Sequence, residues 1–363
     1  MKQFALITLA IVIAIVIGIF YIQVNKKETD VTLQKTRVAV IMNGDRNDHS
    51  WGESHVEAME KVAKSLNLEV AYLEHAPFGP ELEPIIEAEI AKGAKVVICN
   101  SFGYGEQELN VAARHPEVKF FHATGIQTAH NLSTYFGRIY QMRYLSGLVA
   151  GMMTKTNEVG YVAAFPISEV NRGINAFAMG VQKVNPEAKV FVSWTHSWVS
   201  DSTATEATNK LLNNHDVDVL TVHTDALAPY EIAEKRDVWI IGYNLDNQER
   251  YPKRFLTAPV WRWENFYEPR LLEVLQNKFT SRSYWLGAES GMIELSPMTA
   301  SVPSSVKAMV ESEKQKIADG VFDVFYGPVY DTEGNVRVEA GESMTDEDML
   351  NHFDWYVKGV VNE

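Results

Sequence analysis

Asparagine, aspartate, serine and tryptophan crowd the positions that follow the apolar runs of this chain, a mixture suited to gripping a flat ring with a polar edge. After RVAVIM (37–42) the chain reads NGDRNDHSW, which supplies Asp48, Ser50 and Trp51, and after VVICN (96–100) come Ser101 and Phe102. Phe165, Trp198, Asp225 and Asn244 follow later runs, and Trp261 and Trp263 close another. With Trp194, five of the eight tryptophans fall at such positions, so the clustering points to use and not to background composition. Stacking on an aromatic face contributes about 1 to 3 kcal/mol per base, while Asn, Asp and Ser can read a ring's hydrogen-bonding edge. A purine fits that description. Several of these residues carry a second reading. A tryptophan after a strand also serves as core packing, which applies to Trp198, Trp261 and Trp263. Asp48 can cap the helix that Trp51 opens, and Asp225 can be a solvated loop acid.

Catalytic constellations are missing from the sequence. There is no G-x-x-x-x-G-K-[ST], the run GYGE at 103–106 lacks the third glycine of a dinucleotide loop, and Ser290 in GAESG has the wrong spacing for a nucleophile elbow. The ten histidines show no H-E-x-x-H spacing, so neither a metal nor a cofactor is expected. Binding without catalysis is the reading, with a nucleoside hydrolase using Asp45 and Asp48 as the enzymatic alternative. The net charge of −14, with no basic block to offset it, argues against nucleic acid as a partner and fits a neutral ligand. The lone Cys99 cannot form an internal bridge.

The elements that must position these residues form a βα alternation. Strands are expected at 37–42, 68–75, 96–100, 119–124, 159–165, 189–195, 217–223, 238–244 and 254–260. Helices are expected at 51–66, 81–92, 140–154, 168–184 with Ser168 as N-cap, and 203–213. Parallel sheets bind ligands beyond the carboxyl ends of their strands, which is where the aromatic and polar residues sit. A break at NLSTYFGR (131–138) and a second at LTAPVWRW (256–263) divide the pattern, the second preceding a helix that returns to the first half. The expected fold class is therefore α/β, with two doubly wound, Rossmann-like lobes. The first takes 36–134 plus about 262–285, and the second takes 138–258 plus about 290–330, leaving the tail 331–363 assigned to neither.

Ahead of the lobes, residues 4–24 carry no charge and as a helix would span about 31 Å, enough for a hydrocarbon core. Residues 1–24 read as a signal sequence or signal anchor, and 25–35 as a polar tether. The body is thus expected in the periplasm or at the cell exterior.

Five segments together carry a family resemblance: GDRNDHSWGESHVEAMEK (44–61), the run from Tyr135 to Gly180, VLTVHTDA (219–226), IIGYNLDN (240–247) and the tail 321–361. The chain resembles the basic membrane protein (PnrA-like) family of ABC-transporter substrate-binding proteins over nearly all of 36–361. The resemblance implies a type I periplasmic-binding fold whose lobes are joined by a three-crossover hinge. It also implies a purine nucleoside or base in the cleft, and delivery to an ABC permease. Trp51 would match the stacking aromatic of the first lobe, with Asp48 nearby, and Asp225 the acid of the second. Two departures stand out. An aspartate that nucleoside-binding members carry is here Phe165-Pro166, and a sugar-reaching lysine is here replaced by Trp261-Arg262-Trp263, with Arg262 as its possible substitute. Both shift the expectation from a nucleoside toward a bare purine. A membrane-tethered ligand sensor without transport is the alternative binding role.

Overall fold

The computed structural model describes residues 35–363, and the expected N-terminal helix, with the tether up to residue 34, lies outside the described residues. The first sheet is built from β1 (Arg37–Ile41), β2 (Glu69–Leu73), β3 (Ala94–Cys99), β4 (Lys119–Ala123) and β5 (Leu132–Gly137), with helices α1 (Trp51–Leu66), α2 (Leu82–Ala91) and α3 (Gly105–Arg114) as crossovers. Val96, Val97, Ile98 and Cys99 of β3 are all buried, the continuous apolar run of a strand covered on both faces. Burying each such side chain contributes about 1.5 to 3 kcal/mol.

The second lobe follows as α4 (Tyr140–Met153), β6 (Glu158–Ala163), α5 (Ser168–Val184), β7 (Lys189–Trp194), α6 (Asp201–Asn214), β8 (Val219–His223), α7 (Ala228–Lys235), β9 (Trp239–Ile241) and β10 (Phe255–Thr257). The chain then returns through β11 (Pro259–Trp261) to α8 (Glu264–Leu275) and β12 (Ser283–Leu286), and crosses again through β13 (Ile293–Leu295) to α9 (Ser304–Ala318). The remainder holds β14 (Val329–Tyr330), β15 (Val336–Val338), α10 (Asp346–Asn351) and β16 (Val360–Asn362). Strand order is β12-β5-β4-β3-β1-β2 in one sheet and β10-β9-β8-β6-β7-β16 in the other, all pairs parallel. Three segments therefore pass between the lobes, two of them tied as the antiparallel pair β11–β13. The tail joins the second lobe, with β16 as its edge strand beside β7.

Several expectations are corrected here. The break at 131–138 is a strand: β5 is buried throughout, and its polar residues are absorbed by β12. Ser133 Oγ accepts the Arg282 N–H, and the Thr134 hydroxyl donates to Ser283 Oγ at 3.0 Å. The strand expected at 254–260 is two short strands in different sheets, β10 and β11, parted at Ala258. Ser168 lies inside α5, where Ile167 holds the cap position, and its hydroxyl accepts the Phe353 N–H from the tail. The helix expected from Thr203 starts at Asp201, because Ser200 Oγ accepts the Thr203 N–H.

Helices α4 and α5 meet backbone to backbone. A Cβ on Gly180 would lie 2.1 Å from the Tyr144 carbonyl oxygen, and one on Gly147 would lie 2.1 Å from that of Phe177. Gly180→Ala is therefore expected to lower stability by about 1 to 3 kcal/mol, as read by chemical denaturation, and an unchanged midpoint would contradict this packing.

Candidate functional site

The loop between β1 and α1 is shaped by Asp48. Its carboxylate accepts the N–H groups of Ser50 (2.8 Å), Gly52 (2.8 Å) and Glu53 (3.0 Å), donors that the first turn of a helix leaves without partners. Burial pushes the Asp48 carboxyl above its ordinary range, against the pull of these N–H groups. Asp48 is thus consumed in building the start of α1. Gly52 is required there, since a Cβ would lie 2.2 Å from the Asp45 carbonyl. The result holds Ser50 buried and Trp51 half-buried at the rim, and the Trp51 indole N–H donates to the Asn100 carbonyl at 2.8 Å.

From the second lobe, Asp225 follows β8 and meets this helix start. Its Oδ1 accepts the Ser50 hydroxyl at 2.8 Å and the Asn244 amide N–H at 2.7 Å. The same Asn244 amide donates to Ser50 Oγ at 3.0 Å. Asn244 is buried with φ 67°, and its Oδ1 accepts the Trp261 indole N–H at 2.8 Å, which fixes the amide's orientation. A second contact between the lobes joins the Asn247 amide to the His49 carbonyl at 3.0 Å. Asn247 was not among the residues singled out by sequence.

The tryptophans divide by use. Trp261 and Trp263 are buried and stacked on each other, with centres 4.3 Å apart and planes 9° from parallel, and Trp263 also stacks on His55 at 4.6 Å. The Trp263 indole N–H is bonded to Ser54 Oγ at 3.0 Å. In this geometry their faces pack the hinge, and Trp261 acts through Asn244. Trp51 differs. Its aromatic neighbours His55, Trp261, Trp263 and Phe136 all meet it edge-on or tilted, so no ring lies parallel to it among the described residues.

On the opposite rim, Phe165 and Trp198 are both half-buried with ring centres 5.7 Å apart, and the Trp198 carbonyl accepts the Asp225 N–H at 2.7 Å. Ser101 and Phe102 stand apart from the network. The Ser101 carbonyl accepts from His122 Nε2 at 2.9 Å, and Phe102 is 61% exposed. Arg262 is tied to Glu294 of β13 at 2.7 Å. Asn100 follows β3, and its buried Nδ2 has no partner among the described residues.

A family profile described as ABC transporter substrate-binding protein, PnrA-like, matches residues 35–323. The chain belongs to that family. It is 34% identical to a purine-binding protein of Brucella abortus over 90% of this chain and 93% of the relative. It is also 34% identical to a protein of Haloferax volcanii named for glucose binding in an ABC transporter, over 87% of this chain and 78% of the relative. A solute-binding protein of an ABC transporter system from Conexibacter woesei shares the fold, with a TM-score of 0.69 at 23% identity, covering 79% of this chain and 98% of that one. As a member of the PnrA-like family, the chain is a substrate-binding protein of the ABC-transporter type, built from two parallel-sheet α/β lobes. No helix among the described residues is long and apolar enough to cross a membrane.

The electrostatics of this PnrA-like protein centre on Asp225. Burial and the neighbouring Asp48 carboxylate push its pKa up to about 7, against the hydrogen bonds from Ser50 and Asn244. Because the folded value lies above the ordinary 3.8, the folded state binds the extra proton between about pH 4 and 7. Stability conferred at Asp225 is therefore present at pH 4 and is lost as pH rises through 7. Relative to Asp225→Asn, the wild type is expected to lose unfolding free energy across that window in urea titrations. A pH-independent difference between the two would contradict the assignment.

Proposed function

We propose that this protein captures a purine base between its lobes outside the cytoplasm, tethered by residues 4–24, and delivers it to an ABC permease. The observation that carries the reading is the Trp51 indole with no parallel ring partner, set beside the Asp225 carboxylate and the Ser50 and Asn244 donors. A purine lying on Trp51 would offer ring N–H groups to Asp225 in place of the Ser50 hydroxyl, and the amide of Asn244 would serve an acceptor. Phe165 and Trp198 would cover the base from the second lobe. Asp48 and Trp261 are positioning residues, acting through the helix start and the Asn244 amide. Hinge closure would then be driven by ligand contacts made on both rims at once.

A base is favoured over a nucleoside for two reasons. Phe165 and Pro166 offer no side-chain polar group for a sugar, and Arg262 is engaged by Glu294. The purine-binding relative in Brucella supports the heterocycle, whereas the Haloferax relative, at the same identity, makes glucose the competing ligand.

Calorimetric titration with adenine, guanine, hypoxanthine, their nucleosides and glucose decides among these. The expected result is tighter binding of a base than of its nucleoside, weakened in Trp51→Ala by about 1 to 3 kcal/mol. Heat with glucose alone, or a Trp51→Ala protein with unchanged base affinity, would overturn the reading.

A further inference from the structure

Under the second-lobe rim lies a buried polar cluster that the contacts described so far do not use. Arg143 of α4 is 0% exposed. Its Nη1 donates to the Val222 carbonyl at 2.8 Å and to Thr221 Oγ1 at 3.4 Å, while Nε and Nη2 have no partner among the described residues. The guanidinium carbon sits 4.0 Å from the centre of the Tyr243 ring. His223, the last residue of β8, is also 0% exposed. Its Nδ1 is 2.9 Å from the Tyr161 hydroxyl and its Nε2 has no partner. In the tautomer in which Tyr161 donates to Nδ1, the Nε2 atom carries the hydrogen and is a donor too.

Buried donors left without acceptors are rare, because each forfeits the hydrogen bonds it made in water. Here they converge on one ring: the His223 and Tyr243 ring centres are 4.6 Å apart, with Arg143 against the same tyrosine. They also neighbour the candidate site residues. His223 precedes Asp225 by two positions, Tyr243 precedes Asn244, and the Trp198 ring centre is 6.3 Å from that of His223. The other charged groups acting on the cluster are the Glu169 carboxyl, in the first turn of α5, and the Arg172 guanidinium, which is bonded to the Met349 carbonyl. Burial and the two arginines hold His223 neutral, which preserves its acceptor-seeking N–H.

We infer that Arg143 and His223 form an acceptor-binding subsite of the cleft, so that the base captured is an oxopurine. Its carbonyl oxygen, or the enolate it becomes on ionisation, is received by the orphaned N–H groups, while its ring N–H groups face Asp225. This inference rests on the purine reading above. Adenine carries an amino group where an oxopurine has its carbonyl, and would set a donor against these donors. A site built around a hydrogen-bonding group discriminates strongly against an analogue that lacks it.

The test is titration of the full chain with hypoxanthine, xanthine and adenine, first for the wild type and then for Arg143→Met and His223→Phe. The wild type is expected to bind the oxopurines at least about tenfold tighter than adenine. Arg143→Met, which keeps the length of the side chain and removes its donors, is expected to bring that ratio to within about threefold, and His223→Phe to reduce it in the same direction. Adenine binding as tightly as hypoxanthine in the wild type overturns the inference and leaves the purine reading standing. A folded variant of either kind that retains the full ratio overturns it as well. No heat with any purine overturns both.

Discussion

A carboxylate from the second lobe, Asp225, rests at the first turn of a helix from the first lobe, and the geometry of the cleft depends on that meeting. Each neighbouring feature serves this contact. Asp48 satisfies the backbone donors around the helix start, which leaves the Ser50 hydroxyl free to turn toward Asp225. Trp261, placed by the antiparallel hinge strands, holds the Asn244 amide so that its N–H faces the same oxygen. A binding protein of this type needs lobes that recognise each other through a polar contact a ligand can replace. A continuous apolar interface would resist opening.

Aromatic residues follow a matching division of labour. His55, Trp263 and Trp261 stack in series inside the hinge, where the two indole N–H groups are satisfied by Asn244 and Ser54. That stack presents edges to Trp51 and fixes its plane while leaving the ring without a parallel partner. Rigid placement of one aromatic face by others lowers the ordering cost when a planar ligand arrives.

Much of this was legible in the sequence, and what was not has physical reasons. Strands β1, β3 and β4 read as apolar runs because both faces are buried, and the bounds of α1 coincide with the expected Trp51 to Leu66. Strand β5 reads as a break because Ser133 and Thr134 interrupt its apolar run. Their hydroxyls are paired only once β12 arrives from about 150 positions further along the chain. Strands β11 and β13 have three residues each, too few to show a period. Trp261 and Trp263 were correctly placed at a crossover, yet their role as packing depends on His55, a residue 206 positions from Trp261 in sequence. Asn100 and Arg143 are the converse case. Nothing in a sequence distinguishes a paired buried donor from an orphaned one, and only the surrounding contacts reveal it.

We propose that Asp225 and Trp51 form one ligand-reading pair across the cleft, occupied by a self-contact until a base replaces it. A crystal structure of the chain grown with a purine base tests this most directly. The account predicts the base lying parallel on the Trp51 indole, with an N–H of the ring donating to Asp225 and the 2.8 Å Ser50–Asp225 bond broken. A base bound elsewhere, with that bond intact, would contradict it.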